Sequence, residues 1–284
     1  MSLLDELRIP RGPVDLSAYS PGGTPGLDMG KKRGKRRLDA LGPALVKLQT
    51  KLFAQRAQPD GRRVLLVLQG MDTSGKGGVL KHTVGLVDPV GVRITSFKAP
   101  TDEERAHDFL WRIEKAVPAR GYLGVFDRSH YEDVLIARVH SFAPPEEIER
   151  RYGAINDFEQ RLVDEGTVIV KCMLHISPAE QMKRLLARLD DPAKHWKYNP
   201  GDVDERQQWA AYTEAYEVAL ERTNTEAAPW YVVPSDKKWY RNLAIAKLLH
   251  ETLKSLDLGW PAADFDVAAE RKRLAADTIG EREG

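Results

Sequence analysis

The apolar positions of this chain change period along its length, and the changes outline its elements. From about Leu38 to Gln58 the residues Leu41, Leu45, Leu48 and Leu52 recur at helical spacing. After Pro59-Asp60-Gly61 the pattern becomes short apolar runs alternating with longer helical stretches. Val64–Leu68, Val92–Phe97, Tyr122–Phe126, Thr167–His175 and Trp230–Val233 read as five strands. Helices are predicted from about Gly75 to Leu86, Glu103 to Ala116, Pro144 to Glu165, Ser177 to Leu189, Asp204 to Arg222 and Trp239 to Leu256. A further helical stretch begins near Tyr131. Pro144-Pro145-Glu146 supplies an acidic first turn, and Ser177-Pro178 a cap followed by a proline where helices accept one. Strands separated by helices imply an α/β fold, a parallel sheet of about five strands with helices on both faces. In such sheets ligands sit outside the carboxyl ends of the strands. Gly70, Lys98-Ala-Pro-Thr101 and Asp127-Arg128 all fall there.

The flanks have a different texture. Residues 1–36 are punctuated by Pro10, Pro13, Pro21, Gly22, Gly23, Pro25 and Gly26, and Lys31–Arg37 is a dense basic run. The organisation expected is an N-terminal extension over 1–37, one domain over 38–257 and a tail over 258–284. The basic run has two readings, a solvated arm or a contact for an anionic polymer.

Composition narrows the class. Over 284 residues the apolar share is 42% and the charged share 30%, ordinary for a globular protein. A formal net charge of +1 excludes a global field for polyanions, so any such site needs local clustering of Lys and Arg. Near-neutral charge and the absence of a recognition motif argue against nucleic-acid binding. No apolar stretch approaches the roughly 18 residues of a membrane span, and the N-terminus lacks a signal-peptide pattern. The single cysteine, Cys172, lies in an apolar run and reads as core. A cytoplasmic protein without membrane partners is expected.

The chemistry concentrates at residues 70–78, Gly-Met-Asp-Thr-Ser-Gly-Lys-Gly-Gly, between an apolar strand and a helix. In that arrangement backbone N–H groups of Gly70, Thr73, Ser74, Gly75, Gly77 and Gly78 can wrap phosphates while Lys76 reaches their outer oxygens. The position after the lysine ordinarily carries Ser or Thr to hold Mg²⁺, and here it is Gly77. Asp72, inside the loop, is the candidate to hold the metal or orient an attacking phosphate; its alternative is a turn residue bonding its own backbone. Asp127 closes an apolar strand, as metal-holding carboxylates of phosphoryl-transfer enzymes do, or else caps the following helix. Arg128 offers bidentate phosphate contacts. His130 beside it reads as structural, because phosphoryl transfer rarely needs a general base. Lys183, Arg184, Arg188, Lys194, His195, Lys197 and Arg206 surround the fourteen-residue link Asp190–Val203. A link of that length in a compact domain favours a lid, about 184–208, over a solvated connector. Trp196, Trp209, Trp230 and Trp239 read as packing residues by default.

These motifs, with Phe-Lys-Ala-Pro-Thr at 97–101, Phe-Asp-Arg-Ser-His-Tyr-Glu-Asp-Val-Leu at 126–135, Lys-His-Trp-Lys-Tyr-Asn-Pro-Gly-Asp at 194–202 and Ala-Pro-Trp-Tyr-Val-Val-Pro-Ser-Asp-Lys-Lys-Trp-Tyr-Arg-Asn-Leu at 228–243, resemble the family-2 polyphosphate kinases over about residues 38–257. The resemblance implies a P-loop kinase fold with a helical lid. It also implies transfer of a phosphoryl group between inorganic polyphosphate and a nucleotide, with Mg²⁺ (Mn²⁺ as second choice), and a homo-oligomer. By the same resemblance Asp72 and Asp127 are the metal and phosphate-orienting carboxylates, and Lys76, Arg128 and Arg188 stabilise the transferring group. Lys81, Lys194, Lys197 and Arg206 would serve the polyphosphate channel and lid, with Lys98 and Thr101 near the nucleotide. His-Tyr-Glu-Asp-Val-Leu at 130–135 is similar to the subgroup accepting both AMP and ADP (class III), so Glu132 would help choose the acceptor. That subgroup often has Asn where Asp127 stands. Adenine nucleotides are expected, with guanine as the alternative base.

Two other functions fit parts of this pattern. An ATP-dependent nucleoside monophosphate kinase shares the fold but predicts a hydroxyl at position 77. A non-catalytic nucleotide- or polyphosphate-binding module would not need Asp72, Asp127 and Arg128 together at the strand ends.

Overall fold

The computed structural model describes residues 3–277. The helices are α1 (Leu3–Leu7), α2 (Lys31–Ala54), α3 (Lys76–His82), α4 (Asp102–Arg105), α5 (Trp111–Ala116), α6 (Ile136–Val139), α7 (Pro145–Asp164), α8 (Pro178–Leu189), α9 (Gly201–Gln207), α10 (Trp209–Thr223), α11 (Lys238–Ser255) and α12 (Val267–Ala275). The strands are β1 (Arg63–Gln69), β2 (Val92–Ser96), β3 (Leu123–Asp127), β4 (Thr167–His175) and β5 (Trp230–Pro234). They form one parallel sheet in the order β2-β3-β1-β4-β5. This is the α/β architecture the alternating pattern predicts.

β1, β3, β4 and β5 carry near-continuous apolar runs because both sheet faces are covered there, whereas the edge strand β2 is largely exposed. Leu65 and Val67 of β1 face a core shared with Phe158 of α7 and Ala219 of α10, whereas Val64, Leu66 and Leu68 face a core shared with α2 and α11. The two-residue period of a strand thus sorts one apolar run into two cores. The chain winds to one side of β1 for β2 and β3 and to the other for β4 and β5. A crevice therefore opens beside the carboxyl end of β1, where Leu68 is in register with Asp127, and Asp127 with Ser96.

The N-terminal residues depart from expectation. Leu3, Leu7, Ile9, Leu16 and Leu27 are buried, so this segment is part of both cores rather than an extension outside them. Arg8 bridges Tyr231 antiparallel, and Asn224 Nδ2 donates to the carbonyls of Ile9 and Pro10. The segment thereby covers the outer edge of β5. The expected boundary at residue 38 falls inside α2, which begins at Lys31. The reason is Gly34: a Cβ there would lie 2.2 Å from the Trp239 ring, so the glycine lets α2 cross α11 closely instead of breaking the helix. The basic run is accordingly the exposed face of the first turns of α2.

Four predicted helical stretches are also divided, that from Gly75 to Leu86 into α3 and a 3₁₀ turn at Val84–Leu86. The stretch from Glu103 to Ala116 breaks after Arg105, and that from Asp204 to Arg222 breaks at Gln208. The stretch after Tyr131 is a short 3₁₀ turn, His130–Asp133, followed by α6. Within the link Asp190–Val203, Pro192–Lys197 is a 3₁₀ helix capped by Asp191. Trp230 and Trp239 pack as expected, but Trp196 does not: it is 78% exposed, its indole N–H donating to Ala193 O and its ring centre lying 4.7 Å from Lys197 Nζ.

Candidate active site

The loop after β1 takes its shape from residues in left-handed conformations. Gly70 (φ 149°) and Gly75 (φ 113°) accept them freely, and Thr73 adopts φ 60°. At Gly70 an added Cβ would lie 2.8 Å from both Leu174 O and Ser74 Oγ, so only glycine fits where β1 leaves the sheet. At Gly77 nothing lies within 4 Å, so the missing hydroxyl is not excluded by space. The Ser74 and Thr73 hydroxyls are buried without a partner, as polar groups are when shaped for a ligand.

Lys76 folds back onto its own loop, donating to Gly70 O at 2.6 Å. Burial pulls its pKa down, and the charges of Asp72, Glu132 and Asp127 oppose that while Arg128 reinforces it. The five ionisable groups therefore share one electrostatic neighbourhood. Arg128 donates to Asp72 Oδ1 at 2.9 Å. Burial alone would lower the Arg128 pKa, but Glu132 and Asp72 outweigh it and the guanidinium stays charged. Glu132 is pushed up by burial, against the pull of Arg128 and Lys76. The Gln69 amide, oriented by its network, donates to Glu132 Oε1 at 3.0 Å and accepts from Ser129.

Gly70, Asp72, Arg128, Glu132 and Arg206 line one cleft of about 260 Å³. Leu135, Ile136, Trp209 and Tyr212 line it as well. A lining that mixes charged groups with apolar and aromatic ones suits a ligand that carries both phosphates and a flat ring. Lys76 and Asp127 lie just outside the lining; Asp127 accepts from Ser96 Oγ at 3.3 Å. Arg188 reaches across the 190–203 link to Asp202 at 3.3 Å and to Lys197 O, and Arg206 joins α9 to α8 through Gln181 Oε1 at 2.9 Å. Lys194 and Lys197 are exposed on that link, Lys194 paired with Asp191.

Other predicted residues are not brought together here. Lys81 is exposed at the end of α3 and does not line the cleft. Lys98 and Thr101 are exposed, and the Thr101 hydroxyl is used in a capping box with Glu104. His130 is buried, its Nε2 3.2 Å from Glu159 Oε1. Glu159 in turn accepts from Tyr131 and from the fully buried Lys171, which also donates to Thr223 O. That network braces the back of the Asp127–Glu132 segment. Cys172 is fully buried, and burial pushes its thiol far up.

Gln181 was not singled out in the sequence; Arg184 stood there only in the basic cluster around residues 190–203 and Arg241 only inside the motif at 228–243, neither with a role at the loop. Arg184 donates to Thr73 O and Ser74 O, Arg241 to Ser74 O, and Gln181 to Asp72 O. The clue was the placement of Arg184 and Gln181 on the helix that opens the lid.

Two carboxylates without a third are a poor cage for a metal but a good seat for one sharing phosphate oxygens. Among the described residues, no three His, Cys, Asp or Glu gather to hold an ion. A hard divalent cation that keeps waters and binds phosphates fits Asp72 and Asp127.

Residues 28–258 match the family described as Polyphosphate kinase 2 (PPK2). The chain is 45% identical over 252 residues to the AMP/ADP-polyphosphate phosphotransferase of Meiothermus ruber, covering 89% of this chain and 93% of that one. It is 43% identical to the ADP-polyphosphate phosphotransferase of Rhodopseudomonas palustris, covering 74% and 76%. The crystal structure of Polyphosphate Kinase 2 from Arthrobacter aurescens TC1 superposes with a TM-score of 0.94 at 57% identity, over 98% of each chain.

Proposed function

The chain belongs to the polyphosphate kinase 2 family, and we propose that it passes the terminal phosphoryl group of inorganic polyphosphate to AMP and to ADP with Mg²⁺. It is a phosphotransferase between polyphosphate and a nucleotide; the pair of acceptors and the metal are the specific reading. The observation that carries it is Asp72 paired with Arg128 beside Glu132, in a cleft also lined by apolar and aromatic side chains. In-line transfer needs positioning and charge neutralisation rather than covalent chemistry.

The loop N–H groups and Lys76 would grip the polyphosphate chain, and Arg128 and Arg188 would balance charge developing on the transferred group. Mg²⁺ held by Asp72 and Asp127 would neutralise phosphate oxygens and align donor with acceptor. Glu132 would set how far the acceptor phosphate enters past Arg128. Trp209 and Tyr212 offer the nucleoside a face to stack on. The segment 184–208 would close as a lid carrying Arg188, Lys194, Lys197 and Arg206, excluding water from the transfer. Gly77 supports polyphosphate over ATP as donor, because the hydroxyl used for a nucleoside triphosphate's metal is absent although there is room for it.

No helix of the described residues is long and apolar enough to cross a membrane. The reading includes a homo-oligomer in the cytoplasm, which sedimentation of the purified chain tests. Acceptor choice is tested by offering AMP and ADP separately with polyphosphate and Mg²⁺ or Mn²⁺. Product from both acceptors is expected; product from ADP alone would overturn the role given to Glu132.

A further inference from the structure

Behind the phosphate loop, two guanidinium groups converge on one carbonyl oxygen. Arg184 Nη1 and Arg241 Nη1 each donate to Ser74 O at 3.0 Å. Arg184 is compensated elsewhere: Glu180 accepts from its Nε at 2.9 Å, and the carbonyls of Ser235 and Asp236 accept from its Nη2. Arg241 is not. It is 2% exposed, its remaining hydrogen bonds go to the neutral Asn242 Oδ1, and among the described residues no carboxylate lies within ion-pair distance. Burial and the nearby Arg184 charge hold its pKa down to about 9, so it is still cationic at neutral pH. A buried cation without an anion is costly to the free protein. Such costs persist where a ligand relieves them.

The loop is shaped around this group. A Cβ on Gly75 would fall 1.7 Å from Arg241 Nη1, and one on Gly78 would fall 2.4 Å from Nη2. Arg241 thus leaves no room for a side chain at 78, adds to the left-handed φ that already favours glycine at 75, and spares 77 between them. No peptide bond among the described residues is cis. In a trans peptide C=O and N–H point opposite ways, so drawing Ser74 O toward the arginines turns the Gly75 N–H away from them, into the cradle.

We propose that Arg241 is a positioning residue for the polyphosphate donor: it aims the Gly75 N–H at the phosphate chain, and its charge is balanced only when that polyanion binds. The proposal rests on the family reading of the donor. It makes Arg241 a liability in the free protein and an asset in the complex, a combination that a packing residue would not show.

The test is thermal unfolding of the full chain with and without long-chain polyphosphate, alongside steady-state kinetics. Free Arg241→Met should melt at or above the wild-type temperature yet lose most of the stabilisation that polyphosphate gives the wild type. Its KM for polyphosphate should rise about tenfold, the scale of one charge-assisted contact, with KM for AMP unchanged. Arg241→Lys, which keeps the charge, should keep about half or more of the polyphosphate shift. An Arg241→Met protein that retains the full shift, or that no longer folds, would overturn the proposal. Wild-type product formation from polyphosphate in the same preparation separates that failure from a failure of the family reading.

Discussion

The Arg128 guanidinium, at the end of β3, closes on the Asp72 carboxylate of the phosphate loop at 2.9 Å. Arg128 does so from a left-handed backbone, φ 64°, which costs a side-chain-bearing residue about 1 kcal/mol. On the proposed reading the pair neutralises two groups that would take separate tasks once phosphates arrive, the carboxylate toward a metal and the guanidinium toward the transferring group.

Asp72→Asn keeps the shape and removes the charge. Turnover should fall by about 10²–10³-fold, the scale of losing one electrostatic element of a transition-state site. Steady-state kinetics with polyphosphate and Mg²⁺ check this, and near-normal kcat would remove Asp72 from the chemistry.

Gly77→Ala should be harmless where its neighbours are not. The site is open and lies in the first turn of α3, so alanine should stabilise by up to about 0.5 kcal/mol through helix propensity. Gly75→Ala would meet Arg241 and a left-handed φ, and should lower the unfolding temperature. Thermal melts of the two variants side by side decide it.

Glu132 gives a pH signature. Its folded pKa is raised by burial from an ordinary value of 4.5. Between 4.5 and the raised value, the folded state binds more protons than the unfolded one, so this group lowers stability as pH rises through that window. Glu132→Gln should flatten that part of the stability–pH curve and be at least as stable as the wild type at neutral pH. Urea melts across pH 4 to 7 measure it, and an unchanged slope would contradict the burial argument.

Lys171, fully buried on β4, is held by Glu159, Tyr131 and Thr223 O. Removing one partner of a buried pair leaves the other uncompensated, so Lys171→Met should cost about 3–5 kcal/mol. Lys171→Met with Glu159→Gln should recover part of that loss. Equilibrium unfolding of the single and double variants checks the coupling.

The strands, the phosphate loop and the charged rim were legible because each is local: an apolar run buried on both faces, a glycine spacing, a carboxylate at a strand end. Gly34 shows where local reading fails. A glycine in a basic, glycine-rich stretch looks like a break, and only the Trp239 ring packed against it, more than 200 positions away, makes it a crossing point. The role of Arg184 and Arg241 at the loop was hidden for the same reason, since they lie 110 and 167 positions from the Ser74 carbonyl they share. Leu3, Leu7 and Ile9 were lost behind prolines that shape the N-terminal segment without excluding it from the core. Thr101 takes its expected place near the nucleotide from the resemblance, and the local capping-box spacing, a Glu three positions later, draws its hydroxyl into a helix cap.

The most direct measurement is of the donor. Purified full-length protein is given AMP and Mg²⁺ with long-chain polyphosphate in one reaction and with ATP in another, and nucleotides are quantified over time. ADP followed by ATP from polyphosphate alone is the predicted result. Phosphorylation of AMP by ATP, with no product from polyphosphate, would contradict the account and leave an ordinary nucleoside monophosphate kinase.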